Sequence, residues 1–339
     1  MINFRFHLVS LVAVFLALAL GVVVGSTLVD RAIVDGLRDR IDEVEANADE
    51  QASRNAQLTR EVELAKDYAK AALPHLVAGR LLNVNVSVVA LRGINDGAVR
   101  DVTDTLRAAG ALVPGVLWLE PAFASTEAKV QAKLAAAVTD PYRRGDELRQ
   151  AALEALGRRL ALGPLAPTSA APPLQGAQDL LVSLGEARFV AFEQMGGDDV
   201  DLATWPPAPT RLVVIDGTEA KMPAEMATLP LVRGAVLAGT PAAVAEVFNA
   251  GEADKDGREK SARGDVVGVV RRDGDLGSKV ATVDDAEEPP GRAALAFAVE
   301  ELGLGRSGHY GSASGASRQI PELVIEPTPA AQTVVGAGK

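Results

Sequence analysis

The sequence predicts an α/β head carried on a helical, membrane-spanning stem. Three observations predict it: an uncharged apolar run from Leu8 to Val29, a heptad repeat from Val34 to Ala72, and, beyond Pro74, short β-branched runs alternating with amphipathic stretches. Residues 75–325 leave about 250 residues for the head, enough for a substantial core, and the 48% hydrophobic content of the chain supports one.

Leu8–Val29 contains no charged side chain. As a helix it spans roughly 33 Å, enough to cross a hydrocarbon core of about 30 Å. A cleaved signal peptide is the alternative, with Gly25-Ser26 imitating a cleavage site, but its apolar region is expected at only about 7–15 residues. Small residues recur at every fourth position, Ala13, Ala17, Gly21 and Gly25, a spacing that lets two helices approach closely in lipid. Arg5 on one flank and Arg31, Arg38 and Arg40 on the other leave the orientation undecided by charge.

The heptad places Val34, Ile41, Ala48, Asn55, Val62 and Ala69 at a, and Leu37, Val44, Gln51, Leu58, Ala65 and Ala72 at d. Arg40 at g then faces Glu45 at e of a parallel partner, and Glu61 faces Lys66. Asn55 at a favours a two-stranded, fixed register. The expectation is a parallel dimer whose contacts run through Ala17, Gly21, Gly25, Leu37, Ile41, Val44, Asn55, Leu58 and Val62. A single amphipathic helix packed on its own head is the alternative. Because the small-residue ridge and the heptad seam differ in phase, a break is expected between Ser26 and Val34. Pro74 is expected to end the helix.

In the head, Leu81–Leu91 reads as a buried strand, Ala98–Ala109 as a helix and Leu112–Leu119 as a strand. Thr126–Val138 and Asp146–Leu160 read as helices, Gln178–Leu184 as a short helix and Phe189–Phe192 as a strand. Leu212–Ile215, Gly234–Leu237, Val266–Val270 and Val280–Val283 read as further strands. Pro241–Ala250 reads as a helix capped by Thr240, and Arg292–Leu302 as the last helix. Gly163–Gly176, Gly196–Thr210 and Gly251–Gly264 read as loops, and the Pro/Ala/Gly-rich tail from Pro327 as disordered. The expected domains are therefore a cytoplasmic tail and membrane helix (1–29), a coiled coil (30–73), an extracytoplasmic α/β domain with a mostly parallel sheet (75–325) and a tail (326–339).

Net charge is −11, and no basic stripe with interleaved aromatics is present, which argues against nucleic acid as a partner. There is no cysteine, so thiol nucleophiles and thiolate metal sites are excluded. The GxGxxG match at Gly303–Gly308 follows a helix, whereas a dinucleotide fingerprint opens one, so it reads as a glycine turn at a helix end. No catalytic motif emerges, and the chain is read as a non-enzyme. In an open α/β sheet, ligands gather at the carboxyl ends of strands. That singles out Asp216, Asp284, Asp285, His309 and Tyr310 as a candidate binding loop, with helix capping and turn formation as the structural alternative. Copper favours clustered Cys and Met, or clustered imidazoles. Three scattered histidines and four methionines offer no such cluster.

The stretch FRFHLVSLVAVFLALALGVVVGS, the heptads, the strand VSVVALRG and the late block VVGVV…ATVDD…GRAALAFAVEELGLGRSGHYG together resemble the actinobacterial MctB family, over nearly the full chain. The resemblance implies an envelope protein anchored by its N-terminus, with a role in copper homeostasis. Copper enters by that resemblance alone. A corynebacterial relative of similar layout, SteB, is implicated with its partner SteA in separating daughter cells through a peptidoglycan hydrolase. The resemblance therefore also carries, as the alternative, an envelope scaffold with a SteA-like partner. A lone span forms no pore by itself, so the residues favour a dimeric adaptor over a channel.

Overall fold

The structure is a computed structural model that describes residues 4–164, 179–197, 199–249 and 262–322, with the backbone alone at 26–36 and 39. Its contacts separate two compact units, Met1–Asp67 and Tyr68–Lys339.

The first unit is helix throughout its described length. Helix α1 runs Phe4–Val77 and contains Pro74. The expected break between Ser26 and Val34 is absent, and a change of side-chain phase leaves the backbone hydrogen bonding untouched. Pro74 does not end the helix either. It forfeits one hydrogen bond, but Leu73 and Val77 are buried in the core of the second unit and hold the last turn, and the Ala78 N–H donates to the Pro74 carbonyl. Phe4–Gly25 is the one candidate membrane span among the described residues. Farther along, Leu37, Ile41, Val44, Leu58 and Val62 are each more than half exposed.

The second unit is built on a seven-stranded sheet. Its strands are β1 (Val86–Leu91), β2 (Gly115–Leu119), β3 (Val190–Gln194), β4 (Arg211–Gly217), β5 (Ala242–Val247), β6 (Val280–Val283) and β7 (His309–Tyr310). They lie in the order β3-β2-β1-β4-β5-β6-β7, every pair parallel except β2 with the edge strand β3. The central strands are buried along their whole length, which explains their near-continuous apolar sequences. The helices are α2 (Asp96–Ala108), α3 (Ala128–Ala137), α4 (Gly145–Leu162), α5 (Leu180–Glu186), α6 (Thr228–Leu237), α7 (Asp265–Arg272) and α8 (Pro289–Leu302). The end of α1 packs with α2 and α8 on one face of the sheet; α3 to α7 cover the other.

Three elements depart from the sequence reading. Thr240 caps no helix: Ala242–Val247 is strand β5, its alanines overridden by burial between two layers. Gly234–Leu237 is the end of helix α6, where Gly234 lies so close to the Glu154 carbonyl of α4 that a side chain has no room. Val266–Val270 lies in helix α7, its valines forming the buried stripe. The first strand also starts late, because Asn83 adopts a left-handed conformation (φ 59°) and turns the chain before Val86. The residues 303–305 form the expected glycine turn. Most of Gly163–Gly176 and Gly251–Gly264, and the tail from Pro327, lie outside the described residues.

Candidate functional site

The carboxyl ends of β4, β5 and β6 carry a row of acids. Asp216 pairs in register with Glu246, and the β5–β6 register places Glu246 opposite Asp284, one residue past β6. All three are fully buried. Alternation along the strands aims them at the face covered by α6 and α7.

Each acid has a structural duty. Asp216 accepts a 2.5 Å bond from the Thr228 hydroxyl at the start of α6 and a 2.7 Å bond from the Gly217 N–H. Glu246 accepts from the backbone N–H groups of Gly264, Val266 and Val267 (2.7, 3.1 and 3.0 Å), and so caps α7 from a neighbouring strand. Asp284 pairs with Arg271 of α7 at 2.9 Å and accepts from the N–H groups of Ser312 and Ala313. Burial pushes the Asp216 carboxyl up to about 7 against the pull of its two hydrogen bonds. Burial also raises Glu246.

The other predicted residues divide. His309 and Tyr310 form β7, beside β6, and join Asp284 through Arg271. Arg271 donates from Nε to the Thr282 hydroxyl (2.9 Å) and from Nη2 to the Tyr310 carbonyl (3.0 Å). Thr282 Oγ1 lies 3.0 Å from His309 Nδ1. Burial, then the Arg271 charge, lowers the His309 pKa. The Tyr310 hydroxyl donates to Glu301 of α8 at 2.8 Å; burial and that carboxylate raise its pKa. Asp285 points elsewhere. Its Oδ1 is buried without a partner among the described residues, and burial, then the neighbouring Asp284 charge, lifts it to about 6.

The glycines around this pair have steric reasons. A side chain at Gly308 would strike the Tyr310 ring, and one at Gly311 (φ 121°) would strike the Asp284 carboxylate. The Gly-His-Tyr-Gly run is thus the local shape needed to close β7 over Asp284.

Sequence reasoning missed Glu246, Thr228, Arg271 and Thr282. Glu246 and Arg271 sit in elements read as the wrong type. The available signal for Glu246 was its position in an apolar run, where an unpaired carboxylate is improbable without donors nearby.

Potential metal donors are dispersed. His75 is exposed at the end of α1, Met222 is buried in the core, and His309 is committed to Thr282. Among the described residues, no three His, Cys, Asp or Glu side chains gather to hold a metal ion. Two clefts lie away from the acid row. One, of about 360 Å³, opens at the amino ends of β1 and β2 beside Ser87, Arg107 and Trp205. The other, of about 750 Å³, runs along Ala128, Ala132 and Ala136 of α3.

A model of the family described as "Copper transport outer membrane protein, MctB" matches residues 1–321. Proteins named copper transporter MctB from Mycobacterium bovis and Mycobacterium tuberculosis are each 28% identical to this chain over 325 residues, covering 93% of it and 98% of the relative. The match runs through the apolar helix, the heptads and the α/β head alike. The chain belongs to the MctB family.

Proposed function

We propose that the protein is a single-span envelope component of copper homeostasis, acting as a non-enzymatic, dimeric adaptor rather than as a pore. The observation that carries this reading is the single span among the described residues: Phe4–Gly25 is long and apolar enough to cross a membrane, and one helix encloses no channel. The copper role rests on the family description and on the relatives' names. The dispersed donors favour an indirect role, in which the head binds a partner that handles the metal. The heptad residues Leu37, Ile41, Val44, Leu58 and Val62, exposed along α1, supply the dimer contact, with Asn55 and the Arg40–Glu45 and Glu61–Lys66 pairs setting a parallel register. In this reading the head lies outside the cytoplasm.

The same stem and head favour a second reading, a SteB-like scaffold that binds a SteA-like partner and controls daughter-cell separation. A deletion strain separates the two. Copper hypersensitivity with normal septa supports the adaptor in copper homeostasis. Chained cells at ordinary copper overturn it in favour of the scaffold. Normal copper tolerance and normal septa together overturn both.

A further inference from the structure

We propose that His309 is an acid-sensitive latch that holds the closing segment 309–318 against the sheet. Arg271 Nε is a donor, so Thr282 Oγ1 must accept from it. The Thr282 hydroxyl proton is then free to point at His309 Nδ1, 3.0 Å away. With that proton directed at it, His309 Nδ1 acts as the acceptor, which requires the neutral ring with its N–H on Nε2. Accepting the Thr282 proton at Nδ1 is a role that only the neutral imidazole can fill.

The latch joins three pieces of chain. Thr282 belongs to β6, Arg271 to α7, and His309 opens β7. The closing segment folds back on that strand: the Ser317 N–H and hydroxyl both donate to the His309 carbonyl, and the Gly311 N–H donates to the Arg318 carbonyl. Arg271 Nη1 adds a bond to the Ser314 carbonyl.

Protonating Nδ1 turns an acceptor into a second donor aimed at the same hydroxyl. The Thr282 proton loses its acceptor, and an imidazolium is created next to Arg271. The charged groups around the ring do not offset this. Arg271 of α7 opposes the added charge. Asp284, beyond β6, is committed to Arg271 and to the Ser312 and Ala313 N–H groups. Glu301 of α8 is committed to the Tyr310 hydroxyl and Arg306, and Arg318 of the closing segment to Glu322. The low pKa of His309 agrees with this arrangement. With β7 detached, β6 becomes the edge of the sheet.

The test is amide hydrogen exchange on the full chain in detergent micelles, from about pH 7.5 to about pH 5, corrected for the intrinsic rate. The expected result is about fivefold faster exchange at Gly311 and Ser317 on acidification, the factor that one net hydrogen bond represents. His309→Gln presents an acceptor and a donor without titrating, and is expected to abolish that response. An unchanged rate in the wild type, or the same rise in His309→Gln, overturns the proposal. Should the variant not fold, carbon-13 NMR of the three histidines in the wild type decides it. Coincidence of the His309 titration with the rise in exchange supports the latch, and a His309 titration displaced from that rise refutes it.

Discussion

Replacing Asp216 with asparagine tests whether the acid row is architecture. In the folded protein the Asp216 carboxyl titrates near 7, against an ordinary value of 3.8. It therefore holds its proton more tightly folded than unfolded. The stabilisation this gives is fully present below about pH 3.8 and is lost as the pH rises through about 7. Each tenfold difference in proton affinity is worth about 1.4 kcal/mol, so the full loss is about 4 kcal/mol. Nearly 3 kcal/mol of it falls between about pH 5 and about pH 8. The amide introduced by Asp216→Asn keeps a polar group against the Thr228 hydroxyl and the Gly217 N–H and cannot ionise. The expected outcome is that wild-type stability falls across this interval while the contribution of position 216 vanishes in the variant. Urea unfolding of the full chain in detergent measures it, and both tryptophans, Trp118 and Trp205, are buried in the head, so fluorescence reports that unit. A difference of this size moves the midpoint by about 1 M urea. Equal pH slopes in the two proteins would refute the assignment of Asp216 as a buried acid that favours its neutral form.

Arg271→Met removes the partner of a fully buried carboxylate and should destabilise the head by about 3–5 kcal/mol, seen as a lower midpoint in the same unfolding experiment. Gly311→Ala forces a side chain onto the Asp284 carboxylate at φ 121° and is expected to cost about 1–3 kcal/mol, whereas Gly274→Ala, where the space is open, should be close to neutral by the same measurement. Because the chain has no cysteine, single substitutions report the stem cleanly. Asn55→Cys at an a position should form an oxidised dimer on a non-reducing gel, and Arg60→Cys, on the outer f position, should not. Equal crosslinking of the two would remove the parallel dimer.

The parts of the fold legible in the sequence are those whose apolar pattern had one interpretation. The valine-rich β1 and β4 lie between two helical layers, and α2 and α8 show the helical period, so each was found to within a few residues. Failure was concentrated at β5, α6 and α7. These segments, AAVAEV, the Gly-Ala-Val-Leu end of α6 and DVVGVVRR, are short, apolar and alanine- or valine-rich, and a short apolar run does not distinguish a buried strand from a buried helix. Tertiary context decided each one. Glu246 needed the N-terminus of α7 beside it, and that helix is in turn held by the Glu246 carboxylate. Misassigning one therefore concealed the other, and with them the row that links Asp216 to Asp284. The Gly-His-Tyr-Gly run was visible as unusual, but its reason, room for the Tyr310 ring and the Asp284 carboxylate, exists only once β6 and β7 are side by side.

The family description places these proteins in an outer membrane, and the fold bears on how this chain meets a bilayer. A transmembrane barrel needs antiparallel strands of about 9–11 residues, closed on themselves, with lipid-facing apolar positions alternating with polar ones. The described sheet is mostly parallel, is open at β3 and β7, and has strands of two to seven residues with both faces of its centre covered by helices. The apolar faces of its central strands are covered by its own helices. The surface suited to lipid is instead Phe4–Gly25, none of which is buried in the chain. Membrane contact and the folded core are thus assigned to separate stretches of sequence. This separation lets the head keep its core covered by its own helices while the apolar helix is left for the membrane.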